Sequence, residues 1–134
     1  MLHVTALYAG ALGALMAVLS IRVPMRRGAL SVPWGDGEDV SLRTRIRAFG
    51  NFTEYVPMVL LLMALNEHVG AGAAVLHGLG LGLLGFRLLH ALTYRGKESL
   101  ELGEKVGRGV SAMGTWLVLV VAAGHLLYAS ALGA

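Results

Sequence analysis

A chain of 134 residues that is 56% hydrophobic and only 14% charged lies far from the roughly 25% charge of soluble domains. With a mean hydropathy of +0.69 the pattern excludes an ordinary water-soluble fold, and any chemistry must sit among membrane helices or at their ends. No cysteine is present, so disulfides, thiolate metal sites and a cysteine nucleophile are excluded, and the net charge of +3 comes without the soluble basic face that nucleic acid requires.

The first apolar run covers about residues 4–23 and is long enough for a hydrocarbon core about 30 Å thick. It lacks the basic start of a signal peptide and is too long for one. Residues 24–42 are polar and rich in turn formers, with Pro24, Pro33, Gly35 and Gly37. They predict a loop in which Asp36, Glu38 and Asp39 are solvated. A second helix is expected from about Ser41, a residue type that caps exposed amides, to residue 65. The third and fourth runs cover about residues 71–92 and 106–132. None alternates like a barrel strand, and lipid tolerates only helices or closed barrels. The expected fold is all-α: one domain, a four-transmembrane-helix bundle.

All eleven Lys and Arg residues lie in or beside the first and third interhelical links. The positive-inside rule then places both basic loops in the cytoplasm and both termini on the other side. The Ala/Gly/Leu-rich composition, without an ER-return signal, fits a bacterial inner membrane. In the third run Gly78 and Gly82 have GxxxG spacing, which permits close packing within the chain or between subunits.

The second helix carries the most informative pattern. Arg47, Asn51, Glu54 and Tyr55 fall at i, i+4, i+7 and i+8, on one helical face, with Arg43 extending it toward the basic end. A carboxylate inside a membrane helix is costly and faces a polar cavity or a partner. Pro57 follows and removes a backbone hydrogen bond, which favours a bend and space beside the stripe. A cation, an amide, an anion and a phenol together suit a small zwitterionic ligand; the simpler alternative is an Arg47–Glu54 or interhelical ion pair that only orients the bundle. Arg87, His90 and Tyr94 form a second stripe at i, i+3 and i+7. Each also has a plainer reading, as a snorkelling cation, a packing histidine and an interfacial aromatic.

Other polar residues carry less. His3, His68, His77 and His125 lack metal-ligand spacing, so no metal site is expected. Glu98, Glu101 and Glu104 read as a solvated face beside Lys97 and Lys105. Trp34 is expected at the membrane interface and Trp116 in the core or against lipid. No phosphate-binding loop, dinucleotide fingerprint or Ser/His/Asp pattern occurs.

The run Arg-Ala-Phe-Gly-Asn-Phe-Thr-Glu-Tyr-Val-Pro at 47–57 resembles the second-helix signature of the MAPEG family, the membrane-associated proteins in eicosanoid and glutathione metabolism. The four spans, the long basic first loop and the short second turn extend the resemblance over essentially the whole chain. It implies a homotrimer that holds glutathione as co-substrate between neighbouring subunits near the cytosolic face. Carried over by position, the glutathione-binding residues are Arg26, Arg47, Asn51, Glu54, Tyr55, Arg87, His90 and Tyr94. The resemblance places a thiolate-activating arginine where this chain has Glu101, which leaves Tyr94, Arg27 and Arg108 as the catalytic candidates. The implied reaction is thiolate addition to a lipophilic electrophile, or reduction of a hydroperoxide. A non-catalytic ligand-binding or structural membrane protein is the alternative. A small transporter is less favoured, because the halves remote from the basic loops carry few ionisable groups.

Overall fold

A computed structural model of the protein describes residues 2–93 and 101–133. Four helices occur in the order α1 His3–Leu30, α2 Val40–His68, α3 Ala73–Thr93 and α4 Leu102–Ala131. Each is long and apolar enough to cross a membrane, and the described residues contain no strand. α3 packs most extensively on α4 and α1 on α2, while α1 and α4 lie on opposite sides of the bundle. Leu12, Phe52, Val59, Met63, Leu83 and Ala122 form the sealed apolar centre.

Helix ends differ from the sequence expectation for local reasons. α1 continues through Pro24 to Leu30: the proline forfeits its own amide hydrogen bond, while the amides that follow it can continue the helical ladder. It ends at Ser31, whose φ of 56° is left-handed; the amides of Ser31 and Val32 close on the carbonyls of Gly28 and Arg27. α2 begins at Val40, and its cap is Asp39 rather than Ser41: the Asp39 carboxylate accepts from the Leu42 amide at 2.6 Å. α4 begins four residues earlier than expected, because Glu101 and Glu104 form a reciprocal capping box. These two acids terminate a helix and are not merely a solvated face; Lys97 and Glu98 lie outside the described residues.

Two of the three loop acids, Asp36 and Asp39, are likewise committed, which corrects their reading as simple solvation; Glu38 is exposed. Asp39 also receives the Arg26 guanidinium at two points, 2.8 and 3.2 Å, and Asp36 pairs with Arg43. The Arg26 hydrogen bond and the Leu42 amide hold Asp39 below the usual carboxylate range. Arg43 and the Glu38 amide do the same for Asp36. A lowered folded pKa contributes stability above the ordinary carboxylate pKa and loses it as pH falls through the folded value. Acidification below about pH 4 is therefore expected to loosen the start of α2. Hydrogen exchange at the Leu42 amide, corrected for its intrinsic rate, should accelerate there and remain protected at neutral pH.

At the opposite end all four helices are tied by polar contacts. The Glu67 carboxylate accepts from the Val4 and Thr5 amides at 2.9 and 2.8 Å, supplying the cap that Leu2 cannot. Tyr8 meets His77 Nδ1 at 3.0 Å. Buried Asn66 donates to the carbonyls of Leu62 and Ala122, so its Oδ1 is the acceptor for His125 Nδ1–H at 2.7 Å. Asn66→Ala is expected to cost about 1–3 kcal/mol, since it strips partners from a buried site; a detergent unfolding titration measures it.

Of the GxxxG pair, only Gly82 packs within the chain: a Cβ there would lie 3.1 Å from Val118, whereas one at Gly78 would meet nothing within 4 Å. The tightest glycine in α3 is Gly80, where a Cβ would overlap the Tyr8 ring. Trp116 is 57% exposed on the bundle surface and Trp34 is 86% exposed in the first loop.

Candidate functional site

The helix-2 stripe lies at the basic end, but the structure divides it. Asn51 and Tyr55 turn toward α3, while Arg47 and Glu54 remain exposed on the outer surface. Helical arithmetic accounts for the division: Glu54 lies about 20° to one side of Arg47, and Asn51 and Tyr55 lie about 40° and 80° to the other.

The inner group is built around Arg87, which is only 3% exposed. Its Nη1 donates to the Asn51 carbonyl at 3.2 Å and its Nη2 to the Thr115 hydroxyl. The guanidinium carbon stands 5.9 Å from the centre of the Tyr55 ring, within cation–π range. Thr115 passes its own proton to the Ser111 carbonyl at 2.8 Å. His90, also buried, approaches the Asn51 amide at 3.5 Å, the long limit of a hydrogen bond. Arg87 therefore does not snorkel. It links α2, α3 and α4 beneath the surface and presents Tyr55, Asn51 and His90 as one connected polar group.

The outer pair has a different character. Among the described residues, neither Arg47 nor Glu54 makes a side-chain hydrogen bond or ion pair, so the Arg47–Glu54 pair weighed from sequence does not form. Arg47 opens onto a groove of about 820 Å³ lined also by Arg27, Asp36, Arg43, Thr44 and Arg108. Arg27 reaches it from α1 while donating to the Pro33 carbonyl at 3.2 Å, and Arg108 enters from the first turns of α4, half-buried.

The structure thus joins Asn51, Tyr55, Arg87 and His90, and gathers Arg27, Arg47 and Arg108 around a neighbouring groove. Arg26 stands apart, its guanidinium committed to Asp39. Tyr94 lies outside the described residues. Two participants escaped the sequence reading, Ser111 and Thr115, both almost fully buried. Their signal was a pair of hydroxyls at i and i+4 inside an apolar run, on one helical face. Among the described residues no group of His, Cys, Asp and Glu could hold a metal.

The exposed Glu54 needs company. A carboxylate on the outer face of a membrane helix is expensive beside hydrocarbon. The arrangement suits a ligand carrying both charges: a cationic group to meet Glu54 and a carboxylate to meet Arg47, in the planar fork that guanidinium offers.

The MAPEG family model matches residues 5–128. The chain is 38% identical over 87 residues to the inner membrane protein YecN of Escherichia coli K12, and equally to that of Escherichia coli O6:H1. The match covers 65% of this chain and 66%, just under two thirds, of the length of those relatives. No solved structure matches the chain.

Proposed function

From membership of the MAPEG family, to which this chain belongs, we propose that it is an integral protein of a bacterial inner membrane that binds glutathione at the basic end of its bundle. The reaction proposed is addition of the glutathione thiolate to a lipophilic electrophile, or reduction of a hydroperoxide. The observation that carries this reading is the outward-facing Arg47 and Glu54, which make no side-chain hydrogen bond or ion pair among the described residues, beside the connected group of Asn51, Tyr55, Arg87 and His90.

Glutathione supplies two carboxylates and an ammonium. Arg47 holds a carboxylate and Glu54 receives the ammonium, with Asn51 adding a polar contact. Because both charged groups face away from their own bundle, a neighbouring copy covers them, as in the homotrimer the family resemblance implies. The positive-inside rule sets the site at the cytoplasmic side. An ordinary thiol has a pKa near 8.5, and lowering it by about two units requires roughly 3 kcal/mol of preferential interaction with the anion. One charge-assisted donor contributes about 1.5–3 kcal/mol; Arg27, Arg108 and Tyr94 are the candidates for that donor. The lipophilic partner arrives through the bilayer.

A second reading, a binder without turnover, is favoured by one feature. At the position where the resemblance calls for an activating arginine, Glu101 is instead built into the capping box of α4. Calorimetric titration of the purified protein with glutathione tests the site, and steady-state conjugation with a panel of electrophiles separates enzyme from binder. Binding with turnover supports the transferase reading, and binding without turnover supports the second. A folded protein that takes up no glutathione would rule out both.

A further inference from the structure

The arginine groove holds more positive charge than a glutathione site needs. Among the described residues that line it, four carry guanidinium groups, Arg27, Arg43, Arg47 and Arg108, and Asp36 is the only acid. They arrive from α1, α2 and α4, so the convergence is tertiary and not a run of neighbours in sequence. Asp36 is already paired with Arg43, which leaves the groove with an excess of like charges at the end of a membrane bundle.

The surroundings place the groove at head-group depth. Gly35 lines it, and the adjacent Trp34 is 86% exposed, an amphipathic ring of the kind that settles at the membrane–water boundary. From the same end α4 leaves into the membrane with Val106, Val110 and Met113 exposed at 55, 47 and 71%, a surface on which acyl chains can lie. Basic pockets between membrane helices at this depth hold phosphate-bearing head groups, and guanidinium matches phosphate oxygens with two parallel donors.

We propose that the groove lined by Arg27, Arg43, Arg47 and Arg108 binds the phosphodiester head group of an anionic phospholipid from the leaflet at the basic end. Asp36 tunes the site: by occupying Arg43 it withholds one donor and subtracts one charge. This assignment goes beyond the glutathione reading but shares Arg47 with its charged pair and Arg27 and Arg108 with its candidate thiolate donors, so it is tested through Arg43 and Asp36, which have no role in that reading.

The experiment is native mass spectrometry of the detergent-purified full chain titrated with phosphatidylglycerol, cardiolipin or phosphatidylcholine, with glutathione calorimetry on the same preparations. Both anionic lipids should bind at least about tenfold more tightly than phosphatidylcholine. With each basic residue near an anionic surface contributing about fivefold, Arg43→Gln should weaken anionic-lipid binding about fivefold. Asp36→Asn, which can still accept from the Glu38 amide as Asp36 does, should strengthen it by a similar factor, a gain that misfolding cannot produce. A hundredfold excess of inorganic phosphate should leave the lipid bound. The proposal is overturned by equal binding of the three lipids, by indifference to both substitutions, or by displacement with inorganic phosphate, which would identify a soluble anion as the ligand. Glutathione titration reports separately, so either assignment can fail while the other stands.

Discussion

Gly80→Ala is expected to destabilise the bundle by about 1–3 kcal/mol, the usual cost of forcing a methyl group into a filled core. A Cβ at this position overlaps the Tyr8 ring. That ring has little freedom to retreat, because it is 5% exposed and its hydroxyl is fastened to His77 at 3.0 Å, on the same helix as Gly80. Relief requires breaking that bond or moving α1 away from α3. Gly114→Ala is the informative control. A Cβ there also overlaps a ring, that of Phe86, but Phe86 borders two apolar grooves on the bundle surface and can swing into them. Unfolding in mixed micelles, followed by circular dichroism, should show a clearly larger loss for Gly80→Ala. Equal losses would mean that the Tyr8 anchor does not restrict its ring.

Arg47→Ala and Glu54→Gln are each expected to weaken glutathione binding by roughly 10- to 100-fold, the loss of one charge-assisted hydrogen bond of about 1.5–3 kcal/mol at 1.4 kcal/mol per tenfold. Neither should move the unfolding midpoint of the isolated chain, since neither side chain has a hydrogen bond or ion pair among the described residues. Arg87→Ala should behave differently. It removes hydrogen bonds to the Asn51 carbonyl and the Thr115 hydroxyl from a residue 3% exposed, so affinity and stability should fall together. Calorimetry and unfolding on the three variants separate the cases. Unchanged affinity in Arg47→Ala would remove the outer pair from the glutathione site, and a lowered midpoint in all three would reassign the effect to folding.

The membrane architecture was legible because lipid imposes a simple rule on composition. Four apolar runs of adequate length admit few other arrangements, and four helices of that kind are present. Helix ends were less legible, because they depend on single contacts that hydropathy does not register. Asp39 caps α2 and Glu101 caps α4, yet in sequence each is one acid among several in a polar stretch. The helix-2 stripe was legible as a face, since spacing fixes angles around the axis. Spacing does not say how that face divides between bundle and surface, and the separation of Arg47 and Glu54 from Asn51 and Tyr55 emerges only when α3 is in place. Thr115 was obscure for another reason. Hydroxyls in membrane helices commonly bond to their own backbone, as Thr115 does to Ser111, so its acceptance of Arg87 leaves no separate mark.

The clasp between Glu67 and the first turn of α1 also bears on how the chain enters its membrane. The amides of Val4 and Thr5 are completed by a carboxylate more than sixty positions later, so the leading helix cannot finish its own terminus as it emerges from synthesis. Until the end of the second helix reaches the same side, those donors have only water or the interfacial region as partners. The clasp thus ties the outer ends of the first two helices into one hairpin, and a chain halted after the first would leave those two amides to water.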